Sequence, residues 1–416
     1  MSLTITVHRG TDQIGGSCIE VAAPSGERLL LDAGRPLDAP REATGLLPAT
    51  VDTSRPANVI FSHPHMDHWG LIDELPGEWP IWSGEKSAEL MRLTTELFGG
   101  RIDRDIRTWH SRSAPFAIGG FTITPFLTDH SAFDAYMLLI EGWGRKLLYT
   151  GDFRTHGRKA VLVERMMERP PQGIDALMME GTNLRSGKPV ITEKELEDQF
   201  VELARDTPGH VFVQWSAQNI DRTVTLYRAA KRSGRTLVVD LYGADVLERV
   251  ADGTGIPRPG KEFDLLQVVI TPCGKRMYER QGREDFVTRM ATGGAGTSRR
   301  KLSDGRAIIM LRDSMVADFA KDGLGFSADD AYAFSNWSGY LDTADPRSGW
   351  AQAERAGART VRLHTSGHAS PEALAAFAAA MAPKTVLPVH GTAWDDPGIP
   401  LPPVTRLADG EAWTIP

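Results

Sequence analysis

Phe61-Ser-His-Pro-His-Met-Asp-His-Trp-Gly70 places three histidines and a carboxylate, His63, His65, Asp67 and His68, within six residues. Asn58–Phe61 just before it reads as a short buried strand, and 69–75 can continue as a helix. The cluster therefore falls on a strand-to-helix loop. His63 and His65, two apart, project the same way if the chain stays extended, whereas Asp67 and His68 lie beyond the bend. One loop can thus serve two neighbouring metal positions. Imidazole nitrogen with carboxylate oxygen suits zinc, and manganese is the alternative in an oxygen-rich site. The plain alternative, a His-rich surface loop, must explain why three of eleven histidines crowd into six residues.

A chain of 416 residues exceeds one ordinary core, so two domains are expected. With 41% hydrophobic and 24% charged residues the composition is that of a soluble globular protein. No apolar run approaches the roughly 20 residues that span a membrane, and the N-terminus lacks the basic start and apolar stretch of a secretory signal. Cys18 and Cys273 are far apart and have no CxxC partner, which fits a reducing cytoplasm. The net charge of −7 argues against a broad nucleic-acid footprint but leaves local basic patches open.

Outward from the loop, one pattern repeats. Short apolar stretches end in a residue able to bind a metal or a proton. Strands expected over 3–8, 17–22 and 28–32 end in Asp32, 121–127 leads to His130, 146–149 to Asp152, 175–179 to Glu180, and 385–389 to His390. From about residue 185 the character changes. Thr192 with Glu195 three residues later forms a capping-box signature, and helix and strand patterns then alternate, as in a parallel sheet with crossover helices. Gly293-Gly-Ala-Gly-Thr-Ser-Arg-Arg-Lys301 reads as a flexible basic loop, not a phosphate-binding loop, because no GK[ST] ending is present. Near residue 357 the strand-then-ligand style resumes, and the tail after Pro397 offers no chemistry.

A two-metal hydrolase needs roughly seven ligands around ions about 3.5–4 Å apart. His63, His65 and His130 would hold one ion, Asp67, His68 and His390 the other, and Asp152 would bridge them. The ions would lower the pKa of a bridging water so that it attacks as hydroxide. Asp32 would accept an N–H from a ligating histidine and fix its tautomer. Taken alone, His130 or His390 is more often a structural histidine and Asp152 a turn cap. Those alternatives fall together once the loop is granted, because its four ligands need partners elsewhere. His8, His110, His156 and His210 read as ordinary.

HxHxDH at 63–68, the later His130, Asp152 in TGD and His390 in PVHG together resemble the metallo-β-lactamase superfamily, which implies an α/β fold, an αββα sandwich. Glu180-Gly-Thr, His364-Thr-Ser-Gly-His368 and Leu387-Pro-Val-His-Gly391 are similar to three further motifs of the β-CASP nucleases, the group that includes ribonuclease J. The resemblance implies an α/β β-CASP module at 186–357 inserted between lactamase-like segments 1–185 and 358–416. It also implies a phosphodiesterase with two divalent ions, cleaving RNA or single-stranded nucleic acid in exo or endo mode. Asp67, Glu180 and His368 are then the catalytic candidates, with Glu180 holding His368 charged to protonate the leaving oxygen. His364 is placed on the scissile phosphate. Ser216 and Asn219 resemble a segment that holds RNA phosphates at a helix start, and plain capping is an equal alternative. Arg154, Arg222 and the 299–301 run are further candidate phosphate contacts, although a solvated surface better suits the last. A small-molecule metallo-hydrolase acting on a cyclic phosphodiester, thioester or lactone is the rival reading, and a non-catalytic binding protein the third. No membrane partner is expected, and a homodimer is left open.

Overall fold

Alternation along Thr4–Arg9 turns Ile5 and Val7 to one face, and both are fully buried. In the computed structural model, which describes residues 2–187, 189–303, 305–341 and 345–416, this strand belongs to a seven-stranded sheet. Across that sheet run Ala412–Thr414, Thr4–Arg9, Cys18–Ala22, Arg28–Leu31, Asn58–Phe61, Ile81–Gly84 and Ile106–Trp109. A six-stranded sheet faces it, ordered Thr385–Pro388, Ala176–Met179, Arg145–Tyr149, Tyr136–Gly142, Phe121–Leu127 and Phe116–Ile118. Ile5, Val7, Ile19 and Leu31 from the first sheet share one core with Phe121, Leu138, Leu147 and Met178 from the second.

Each sheet covers its outer face with helices. Val59, Phe61 and Ile81 pack with Ala88 and Met91 of helix Glu85–Leu97. Leu148, Leu177 and Val386 pack with Val163 of helix Ala160–Glu168 and with Leu374 and Phe377 of helix Pro371–Met381. Helix, sheet, sheet and helix thus form an αββα sandwich. Many strands have only four residues, so their stability comes from this burial, about 1.5–3 kcal/mol per large apolar side chain, rather than from propensity.

Contacts divide the chain into two units. The sandwich holds Met1–Arg92, Arg101–Val190 and Gly367–Pro416, and the second unit holds Leu93–Gly100 and Ile191–Ser366. The second unit is a parallel sheet ordered Gly296–Thr297, Leu266–Val269, Thr236–Val239, Ala307–Met310, Val211–Gln214, Ala331–Phe334 and Arg359–Arg362. Its first long helix, Glu193–Asp206, opens with a complete capping box: Glu195 N donates to Thr192 Oγ1 at 3.1 Å, and Thr192 N donates to Glu195 Oε2 at 2.7 Å. Phe212, Ile309, Phe319 and Tyr332 lie in the core between this sheet and its helices.

Several local readings change. The 293–301 stretch is not an irregular loop: Gly296–Thr297 pairs with the neighbouring strand, and Ser298 caps a short helix, Arg299–Leu302. Leu302 is buried there, and Arg299 Nη1 donates to Asp318 O at 2.7 Å, which anchors the run. The helix expected over 69–75 is instead Met66–Trp69 followed by a 3-10 turn at Ile72–Glu74, so Asp67 and His68 are helical. Arg359–Arg362 pairs with Ala331–Phe334 and so lies in the second unit, not in a return segment beginning at 358. The tail contributes an edge strand, Ala412–Thr414, paired with Thr4–Arg9 beside the buried Ile415. Among the described residues, no helix is long and apolar enough to cross a membrane.

Candidate metal centre and its acid pair

The His-rich loop is held from behind by the segment that follows Arg28–Leu31 and by Ser17, just before Cys18–Ala22. Ala33 N donates to His68 O at 2.8 Å, Arg35 N to Met66 O at 3.0 Å, and Ser17 N to Asp67 O at 3.1 Å. Gly34 sits in this stack so tightly that a Cβ there would lie 1.7 Å from Asp67 O. Gly34→Ala should therefore push the loop out and cost about 1–3 kcal/mol or more. Denaturant unfolding of the variant would show the loss, and weaker metal binding should accompany it.

Asp32 ties the loop to both sheets. Its Oδ1 accepts Ser62 N at 2.7 Å, and its Oδ2 accepts Ser62 Oγ at 2.8 Å, Tyr149 Oη at 2.6 Å and His68 Nδ1 at 2.7 Å. It is one of two site residues with left-handed backbone, at φ 60°, and His390 at φ 51° is the other. Strain of about 1–3 kcal/mol at such a non-glycine residue persists only where its surroundings fix it.

The hydrogen bonds dictate the tautomers. Ser62 gives its only hydroxyl proton to Asp32, so it accepts at 3.0 Å from His63 Nδ1–H, and the lone pair of His63 is at Nε2. Gly367 O can only accept, so His130 Nδ1–H donates to it at 2.6 Å and His130 also keeps its lone pair at Nε2. His68 is oriented in the same sense by Asp32.

These atoms converge in two groups. Ligand atoms of His63, His65, His130 and Asp152 all lie within 4.8 Å of one another, as do those of Asp67, His68, Asp152 and His390. Asp152 belongs to both: its Oδ2 is 3.1 Å from His68 Nε2 and 3.7 Å from His63 Nε2, and its Oδ1 accepts His390 Nδ1 at 2.6 Å. His63 Nε2 and His390 Nε2 are buried and have no hydrogen-bond partner among the described residues. An unmet buried polar atom costs about 1–3 kcal/mol, so these two nitrogens, each in a different group, mark where cations fit. The donor set of imidazoles and carboxylates fits divalent ions.

Electrostatics agree at His63, His65 and His130. Burial drives His63 and His130 well below the ordinary imidazole value and lowers His65, which keeps them neutral and able to ligate. Burial also opposes charge on His68, but the carboxylates of Asp152, Asp67 and Asp32 override it and raise His68 well above that value. Asp152 would be raised by burial, yet His390, His68 and His368 hold it well below the usual carboxylate range.

Asp152, Glu180 and His368 form a third group. Glu180 is fully buried at the end of Ala176–Met179, where Oε1 accepts Phe153 N at 2.9 Å and Oε2 accepts His368 Nδ1 at 2.9 Å. Burial opposes charge on His368, but Glu180 and Asp152 raise it to about 9, so it is protonated at neutral pH. Asn183 Nδ2 donates to His368 O at 3.0 Å and fixes the segment.

The basic candidates fare differently. Arg154 is no phosphate contact. It is fully buried, its Nε donates to Asp129 Oδ1 at 3.4 Å, and its backbone N donates to Asp129 O at 2.7 Å, so it braces the loop that carries His130. Arg154→Ala would remove the buried cation that pairs with Asp129 and should cost about 3–5 kcal/mol, measurable by denaturant unfolding. Arg222 is likewise fully buried, pairing with Glu193 at 3.1 Å and donating to Ser335 O at 3.0 Å. Asn219 is a helix cap whose Oδ1 accepts Arg222 N at 3.0 Å, which accounts for it without a phosphate. Ser216 is exposed in the loop before it. His364 belongs to the second unit, where Nδ1 donates to Ser335 O at 3.1 Å. Sequence reasoning gave no role to Ser62, Tyr149, Asp129 or Asn183. Each lies within three residues of a ligand or acid candidate, which is the signal that could have singled them out.

The sandwich and its site belong to a class seen elsewhere. A family profile described as "Beta-lactamase superfamily domain" matches residues 27–238, about half of the chain, and the protein is a member of that superfamily. Within it the chain is similar to ribonuclease J. It is 23% identical to ribonuclease J of Helicobacter pylori over 414 residues, covering 94% of this chain and 56% of that protein. Against ribonuclease J of Mycobacterium tuberculosis it is 25% identical over 361 residues, covering 80% and 58%. It is 30% identical to an RNase J-like protein of Methanocaldococcus jannaschii over 258 residues, 56% of each chain. The chain thus spans little more than half the length of these curated relatives. A crystal structure of a protein of unknown function from Enterococcus faecalis superposes with a TM-score of 0.76 over 100% of both chains at 18% identity, which shows a shared fold.

Proposed function

We propose that the chain is a metal-dependent phosphodiesterase that cleaves RNA or other single-stranded nucleic acid. The carrying observation is Asp152, shared by two ligand groups and lying 3.8 Å from a histidine that Glu180 keeps protonated. Similarity to ribonuclease J supports RNA as the substrate. His63, His65 and His130 would hold one divalent ion, Asp67, His68 and His390 a second, and Asp152 both, with zinc the expected metal and manganese the alternative. Two such ions, when bound, supply an activated water near neutral pH and positive charge opposite the phosphoryl oxygens.

The protein's own groups do the remaining work. Asp32 keeps the proton of His68 on Nδ1, so Nε2 faces the site. Ser62 does the same for His63, and Gly367 O for His130. Glu180 fixes the ring of His368 through Nδ1, so the proton passed to the leaving oxygen is the one on Nε2. The test is cleavage of a 5′-monophosphorylated, 3′-labelled single-stranded RNA by metal-reconstituted protein. Mononucleotide products would indicate exonuclease action and longer fragments endonuclease action. No cleavage of RNA or DNA by protein holding its metals would reject the proposal.

A further inference from the structure

In the second unit, the chain leaves Val211–Gln214 toward Thr236–Val239 on one side of the sheet and leaves Ala331–Phe334 toward Arg359–Arg362 on the other. These two strands are neighbours, with Gln214 paired to Phe334 at their carboxyl ends. Connections that diverge from adjacent parallel strands open a crevice there, and this is where open α/β sheets bind ligands. A cavity of about 350 Å³ occupies that position, lined by Gln214, Phe334, Asp313, Tyr340 and Trp350. Its size falls in the range of roughly 300–1,000 Å³ typical of small-ligand sites.

Tyr340 lines it, and Trp337 packs against Tyr340. Trp337 is 60% exposed and Tyr340 65% exposed, large values for such side chains. Their ring centroids are 5.4 Å apart and their planes are at 86°. A Cβ on Gly339 would come within 2.2 Å of the Trp337 ring, so the indole rests against that glycine. The lining offers a phosphate no cation, because among the described residues it holds Asp313 and Asp345 and no Lys or Arg. Its hydrogen-bonding groups instead suit a neutral heterocycle. Gln214 Oε1 accepts from Tyr332, its amide nitrogen has no protein partner among the described residues, and Asp313 offers an acceptor. A donor beside an acceptor, in a lining that includes the rings of Tyr340 and Trp350, matches the edge and face of a nucleobase.

We infer that this crevice binds a nucleobase of a single-stranded nucleic acid, with Trp337 and Tyr340 as the stacking surface. The inference rests on reading the chain as a nuclease, and it adds a base-binding subsite within the second unit.

The test compares two oligonucleotides of equal length and charge, an unstructured RNA and an abasic strand, binding to the full chain in an Asp152→Ala background that leaves RNA uncut. The parent should bind the RNA more tightly than the abasic strand. Trp337→Ala or Tyr340→Ala should weaken RNA binding about tenfold and leave abasic binding unchanged, while Trp337→Phe should retain most of it. Equal RNA affinity in the alanine variants, an equal loss on both strands, or no preference for RNA in the parent would overturn the inference. Hydrolysis of bis(p-nitrophenyl) phosphate by the otherwise unaltered protein tests the nuclease reading separately. Absence of that hydrolysis in metal-loaded protein would point to failure of that reading rather than of the base site.

Discussion

Asp152→Ala is expected to reduce phosphodiester cleavage by at least about a thousandfold, beyond the 10–100-fold typical of outer-shell partners of metal ligands. Among the described residues no other reaches both ligand groups, and its two oxygens are committed separately, Oδ1 to His390 and Oδ2 to His68. Removing it also leaves His68, His390 and His368 without the carboxylate they share. Both metal content and activity should fall together, and steady-state cleavage of labelled RNA beside metal analysis measures both. An alanine variant that kept its metals and cut RNA at the parent rate would show that the two groups do not act through Asp152.

The second large effect belongs to the acid pair. His368→Ala should lower kcat about 10²–10³-fold with metal content unchanged, the usual size of a general-acid contribution. Glu180→Gln should act through the ring. His368 is held at about 9 because Glu180 and Asp152 outweigh burial. The useful form is the protonated one, present below that value and lost as pH rises through it. Removing the charge of Glu180 lowers the His368 value, so the alkaline fall in kcat should begin at lower pH in Glu180→Gln than in the parent. A kcat profile that did not move would deny Glu180 this positioning role. Loss of metal in either variant would instead make the pair structural.

The sandwich was legible only through the family resemblance, whereas the convergence of the seven candidate ligands was legible for one reason. Ligands at strand ends follow from apolar runs of four to seven residues that stop at a histidine or carboxylate, and that pattern is local. Asp67 and His68 were legible from spacing alone, although the helix that carries them proved to be only Met66–Trp69. What stayed hidden depends on partners distant in the chain. Arg154 reads as a surface cation beside a site, yet Asp129, 25 residues earlier, draws it fully inside. Arg222 is hidden in the same way by Glu193 and Ser335. The strand Arg359–Arg362 carries arginine at both ends, and only its pairing with Ala331–Phe334 reveals its unit. The tail strand Ala412–Thr414 is too short for any periodicity, and pairing with Thr4–Arg9 defines it.

Metal stoichiometry tests the centre most directly. Metal-free protein titrated with Zn²⁺ in a calorimeter should take up two equivalents, with His63→Ala and His390→Ala each retaining one, because their orphaned nitrogens lie in different groups. A single equivalent in the unaltered protein, or loss of the same ion in both variants, would contradict a centre built from two groups joined at Asp152.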